Sequence, residues 1–128
     1  MSELRLVLTV SDVDAALAVF RDALGLPQLE AWETDSSRGY LLAAGQATLE
    51  LADEGHAAQV DELEVGHRVS GPVRLAFGVD DSAAAAERLA GAGAVRLAGP
   101  VETPWGDVNV RLQVPGGVQL TLFSRPAR

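Results

Sequence analysis

The sequence predicts an α+β fold in which two tandem βαβββ modules form a curved mixed β-sheet, with a concave cleft on one face and helices on the outer side. Three observations carry that reading. Arg5-Leu-Val-Leu-Thr-Val-Ser-Asp12 returns half a chain later as Arg74-Leu-Ala-Phe-Gly-Val-Asp-Asp81, in step position by position, and an internal repeat of this length sets the architecture. After each copy comes one helix-period stretch and then three short strand-like runs bounded by turn residues. Along the strands apolar and polar residues alternate, so each strand offers one apolar and one polar face.

The elements follow in order. Residues 4–10 are apolar and β-branched enough for a strand. Ser11-Asp-Val-Asp14 has the spacing of a capping box, with Ser11 as N-cap. Val13, Ala16, Leu17, Phe20 and Leu24 then make one stripe of an amphipathic helix, which Gly25 and Pro27 end. Gln28–Glu33, residues 39–43 and Ala47–Ala52 read as strands, joined by the polar 34–38 and by Gly45-Gln46. Module 1 thus spans about residues 3–53. Residues 54–71 are acidic, Gly-punctuated and weakly periodic, and read as a connector. Its carboxylates (Asp53, Glu54, Asp61, Glu62 and Glu64) read as a solvated charge run. Both histidines, His56 and His67, fall in it, and a loop histidine belongs at the surface. Module 2 spans about 72–125. Residues 73–79 are its opening strand, Asp80 or Asp81 caps a helix from Ser82 to about Ala92, and 95–97, 107–114 and 118–123 are strands. Pro115-Gly-Gly117 is the last hairpin turn.

A chain of 128 residues forms one domain with a real core. The net charge of −8 argues against nucleic acid or an anionic membrane as partner. With no cysteine, disulfides and thiolate chemistry are excluded. All ten basic residues are arginine, so no lysine can form a Schiff base. No basic N-terminal region precedes an apolar run and no segment reaches membrane-spanning length, so a cytoplasmic location is expected.

Several segments in this order resemble the vicinal oxygen chelate superfamily: glyoxalases, bleomycin resistance proteins and extradiol dioxygenases. They are Val10-Ser-Asp12 into Phe20-Arg-Asp-Ala-Leu-Gly25, Ala47-Thr-Leu-Glu-Leu51, Val73 to Asp81, and Pro104-Trp-Gly106 followed by Pro115-Gly-Gly117. The last pair leans toward the metal-free bleomycin-resistance members. The resemblance implies that metal-dependent relatives draw ligands from four strand positions, which here hold Arg5, Glu50, Arg74 and Thr121. Only Glu50 matches, and a guanidinium has no lone pair to offer a metal. Neither a metal nor another cofactor is expected.

Strand alternation places Arg5, Val7, Thr48, Glu50, Arg74, Ala76, Asn109, Arg111, Gln119 and Thr121 on the concave side. Arg5, Glu50 and Arg74 suggest an arginine–carboxylate–arginine cluster where the metal would be. Such a cluster is either a structural ion pair or leaves a guanidinium free to hold a ligand carboxylate or phosphate. Trp32 and Trp105 stand where a rim would be and can pack a planar ligand, as can Tyr40, which reads equally as core. The candidate ligand-binding set is therefore Arg5, Glu50, Arg74, Trp32, Trp105, Arg111 and Thr121. The expected function is metal-independent binding of a small molecule, such as an antibiotic or a metabolite, in the cleft. The alternative is a superfamily enzyme, a lyase, isomerase or dioxygenase, with Glu50 as its one candidate catalytic group. Exposed sheet edges and the family's habit of pairing chains imply a homodimer.

Overall fold

The computed structural model describes residues 1–125. Eight strands form one curved, unclosed sheet in the order β2-β3-β4-β1-β5-β8-β7-β6. They are β1 (Glu3–Thr9), β2 (Gln28–Glu33), β3 (Arg38–Ala44), β4 (Ala47–Ala52), β5 (Val73–Gly78), β6 (Val95–Glu102), β7 (Val108–Gln113) and β8 (Gln119–Ser124). The repeat is legible in the pairing. Each module's opening strand runs parallel to its own last strand, β1 to β4 and β5 to β8. The two opening strands then meet antiparallel at the centre of the sheet, Arg5 opposite Ala76 and Val7 opposite Arg74.

The outer face is apolar, as alternation predicts, and both repeat helices pack on it. Helix α1 (Val13–Leu17) buries Val13 and Leu17 against Leu42, Leu49, Leu51 and Tyr40, with Leu6, Leu8 and Val10 beside them. Helix α3 (Ser82–Gly91) buries Ala85 and Ala86 against Val110, Leu112 and Leu122. Fully burying one Leu-sized side chain stabilises by roughly 1.5–3 kcal/mol, so each cluster holds its own module's helix on the sheet. The N-cap of α1 is Asp12, not Ser11: its carboxylate accepts the Ala15 N–H at 3.0 Å. Asp81 caps α3 in the equivalent way. Helix α1 continues as a π-helical turn, Ala18–Ala23. The wider turn takes Leu24 off the buried stripe, and it lies exposed although 3.6-residue spacing placed it on the core face. Gly25, at φ 86°, then turns the chain into β2.

The main departure from expectation is the connector, which is helical. Helix α2 spans Glu54–Glu64, capped by Asp53, whose carboxylate accepts the His56 N–H at 2.8 Å. It crosses to the polar side of the sheet, touching β3, β4, β6 and β7. Asp61 and Glu64 are buried there, so only part of the supposed charge run is solvated. Among the described residues no helix is long and apolar enough to cross a membrane.

Candidate functional site

Strand register lays the concave face out in rows. One row runs Glu50, Val7, Arg74, Gln119 across β4, β1, β5 and β8. The next runs Thr48, Arg5, Ala76, Thr121, Arg111, reaching β7. Over these rows lies a cavity of about 680 Å³, a size suited to a small organic ligand. Val7 and Ala76 form its apolar floor, with Arg5 and Glu50 on one flank and Arg74 and Thr121 on the other. Helix α2 walls one side with His56, Val60 and Glu64, three residues at four-residue spacing on one helix face. Trp32, Trp105 and Phe123 add aromatic surface.

On the first flank, Arg5 donates through Nη1 to Glu50 Oε1 at 3.1 Å and through Nε to Glu3 at 3.0 Å. Burial pulls its guanidinium down, but Glu50 and Glu3 outweigh that and leave it raised. Arg5 is therefore fully engaged. The other oxygen of Glu50 accepts no hydrogen bond among the described residues: His56 Nε2 stands 3.7 Å from it, too far for one. The His56 ring stacks on Trp32, centroids 5.7 Å apart and planes 19° from parallel. Gly39 makes this possible, since a Cβ there would stand 2.7 Å from the ring. Burial pushes the His56 imidazole down, against the pull of Glu50 and Asp53. A neutral ring carrying its proton on Nε2 presents it toward Glu50, and Nδ1 is buried without a partner.

On the second flank the strand carries Thr121 where the first module has Glu50, and α2 supplies the missing carboxylate. Glu64 Oε1 accepts from Thr121 Oγ1 at 3.2 Å and from Arg111 at 2.8 and 3.2 Å, while its Oε2 accepts from Asn109 at 3.0 Å. Arg111 is 0% exposed and also donates to Asp61 at 2.8 Å and Gln119 at 3.1 Å. Burial alone would raise the Asp61 carboxyl, yet the Ser70 and Val69 backbone N–H groups and Arg111 hold it well below the usual carboxylate range. This network pins α2 to β7. Arg74 is built differently. It is only 8% exposed, and burial pushes its guanidinium down. Among the described residues its side chain makes one hydrogen bond, from Nη1 to Thr121 Oγ1 at 2.7 Å, and no ion pair.

These donors do not fit the metal that the fold family implies. Of the four strand positions, two carry guanidiniums, one of them donating to Glu50 and the other to Thr121. No group of three or more His, Asp or Glu side chains able to hold a cation occurs among the described residues. A divalent ion needs several anionic or imidazole donors, and here Glu50 has only the His56 imidazole near it, with Arg5 on its other oxygen.

Of the residues that the sequence pointed to, Arg5, Glu50, Arg74, Thr121, Trp32 and Trp105 line one cavity. Arg111 does not: its fork is spent on Asp61 and Glu64. The expected three-member cluster is only half formed, because Arg5 pairs with Glu50 while Arg74 turns to Thr121. Tyr40 is core, its hydroxyl accepting from Arg38 at 2.9 Å. His67 is exposed. His56 and Glu64 were not foreseen. Their signal was present as the i, i+4, i+8 spacing of His56, Val60 and Glu64 behind the Asp53 cap, but the stripe is polar and reads as surface.

Comparison with known proteins agrees with this architecture. No curated protein sequence matches the chain. Among solved structures, a hypothetical protein of Bacillus halodurans C-125 matches with TM-score 0.70 at 16% identity, over 97% of this chain and 94% of that one. Streptomyces coelicolor methylmalonyl-CoA epimerase, in complex with 2-nitronate-propionyl-CoA, matches with TM-score 0.66 at 22% identity, over 96% of each chain. A superfamily member from Vibrio splendidus 12B01 matches with TM-score 0.64 at 12% identity, over 95% and 97%. At these identities the likeness is one of fold. The family model described as Glyoxalase/Bleomycin resistance protein/Dioxygenase superfamily matches residues 4–122, and the chain belongs to that superfamily.

Proposed function

We propose that the protein binds a small carboxylate-bearing molecule in its concave cavity without a metal ion. The observation that carries this reading is Arg74, a buried guanidinium facing a ligand-sized space with one hydrogen bond among the described residues. A buried charge is stable only when paired, and Arg74 lacks the carboxylate partners that Arg111 and Arg5 have. A ligand carboxylate completes it through the two-pronged geometry that guanidinium favours. The apolar floor and the indoles of Trp32 and Trp105 then take the ligand's planar or aliphatic body. Titration with benzoate and 3-phenylpropanoate, followed by ligand-observed NMR, tests this. Arg74→Met should weaken binding at least about tenfold, since charge-assisted hydrogen bonds contribute about 1.5–3 kcal/mol, and a chelator should leave wild-type binding unchanged. Equal binding by the variant, or loss on chelation, overturns the reading.

A second reading is favoured by the open oxygen of Glu50, which stands free to accept a proton from a bound molecule. Its structural relatives include a methylmalonyl-CoA epimerase in complex with methylmalonyl-CoA, a carboxylate thioester. Exchange of a bound probe's 2-hydrogen for solvent deuterium, lost in Glu50→Gln, would place this reading first.

A further inference from the structure

Two groups in the cavity have unspent hydrogen-bonding capacity of opposite kinds, and they share a row. Register places Glu50, Val7 and Arg74 side by side on β4, β1 and β5, so the Cα atoms of Glu50 and Arg74 lie about 10 Å apart, two strand spacings. Both side chains rise from the same face of the sheet, one on each side of Val7, and line the cavity. Glu50 Oε2 accepts no hydrogen bond among the described residues, with His56 Nε2 3.7 Å away. Arg74 donates only to Thr121 through Nη1, leaving its Nε and Nη2 without a protein partner among the described residues. The two do not pair with each other: the carboxylate turns toward Arg5 and His56, the guanidinium toward Thr121. Between them lies a gap floored by a valine and an alanine, acceptor on one side and donor on the other.

We propose that this gap recognises an amphoteric head group, a short 2-hydroxy- or 2-amino-carboxylate, whose carboxylate sits on Arg74 and whose hydroxyl or ammonium donates to Glu50 Oε2. The proposal rests on the reading of Arg74 as the anion site and adds the second contact. A plain carboxylate satisfies Arg74 but leaves the cavity-facing Glu50 oxygen unanswered. A second anionic group near Glu50 is repelled. A donor one carbon from the carboxylate lets one head group answer both charges. The remaining volume, toward Trp32 and Trp105, holds an apolar or aromatic tail. This also reconciles local arginines with a chain of net charge −8, because the favoured ligand need not be strongly anionic as a whole.

Three matched probes decide it: 3-phenylpropanoate, 2-hydroxy-3-phenylpropanoate and phenylalanine, measured by ligand-observed NMR on the full chain. At least one substituted probe should bind about tenfold tighter than 3-phenylpropanoate, the effect of one charge-assisted hydrogen bond. Glu50→Gln keeps an acceptor oxygen but loses the charge. A hydroxyl advantage should survive it and an ammonium advantage should vanish, which tells the two donors apart. If 3-phenylpropanoate binds as tightly as both substituted probes, the head-group proposal is wrong while the Arg74 site stands. If none of the three binds, the Arg74 site falls and this proposal with it. Should Glu50→Gln fail to fold by its thermal transition, the wild-type ranking of the three probes decides alone.

Discussion

Arg74 and Arg111 are both buried arginines on the concave face, and their partners give them opposite roles. Arg111 meets two carboxylates, Asp61 and Glu64, with four hydrogen bonds to acceptors on α2 and β8, so it is a fastener. Arg74 meets one hydroxyl, so it is available. Arg111→Met should therefore destabilise the protein by about 3–5 kcal/mol, the cost of leaving buried carboxylates without their cation. The denaturant midpoint checks this, and a change within error would show that Asp61 and Glu64 are held by Arg68, Ser70 and Asn109 without it. Nothing in the sequence distinguished these two arginines. Strand alternation put both on the inner face, and that was correct. Which of them would be consumed depended on where the mid-chain helix α2 would lay its acids, and alternation carries no such information.

That helix is the element the sequence concealed. Strands β1 to β5 and helices α1 and α3 announce themselves through apolar periodicity, because their buried faces are hydrocarbon. Helix α2 buries an ionic face, with His56, Asp61 and Glu64 inward beside Ala57, so a search for apolar stripes reads it as connector. Its Asp53 cap was the usable signal. Asp53 Oδ1 accepts from His56 N at 2.8 Å and from Arg38 N at 3.0 Å, joining the helix start to β3. Asp53→Ala should cost about 1–2 kcal/mol, the range for a lost N-cap. The loss should concentrate in α2, read as faster amide exchange across residues 54–64 with little change in α1 or α3. Uniformly faster exchange would mean that α2 unfolds only with the whole domain.

At the scale of the molecule, the repeat is symmetric in its backbone and asymmetric in its chemistry. Both modules open with arginine on the central strand pair, yet module 1 pairs its Arg5 with Glu50 from its own strand, whereas in module 2 Glu64 from α2 takes Thr121 and Arg111 and leaves Arg74 without an ion pair among the described residues. One helix thereby closes one side of the cavity, fastens itself to module 2, and brings a neutral histidine to module 1. This makes the stability of the fold depend on pH in two separate windows. His56 faces Glu50 on β4, Asp53 at its own helix start and Arg74 on β5, and burial outweighs the two acids to hold its imidazole below the ordinary value of 6.5. The unfolded chain therefore takes up a proton near pH 6.5 that the folded chain refuses. Stability is full above that pH and falls as pH drops below it, toward the folded value. Asp61, held low by Val69, Ser70 and Arg111, acts only later: its contribution is present above about 3.8, the ordinary carboxylate value, and is lost as pH falls further. Thermal unfolding followed from pH 8 to pH 3 should thus show a decline beginning near pH 6.5 in the wild type. His56→Phe, which keeps an aromatic ring against Trp32, should flatten that decline while leaving the loss below pH 4 in place. The other histidine, His67, is exposed, so His67→Phe should leave the upper window unchanged. An unaltered decline in His56→Phe would mean that a group other than His56 sets the upper window.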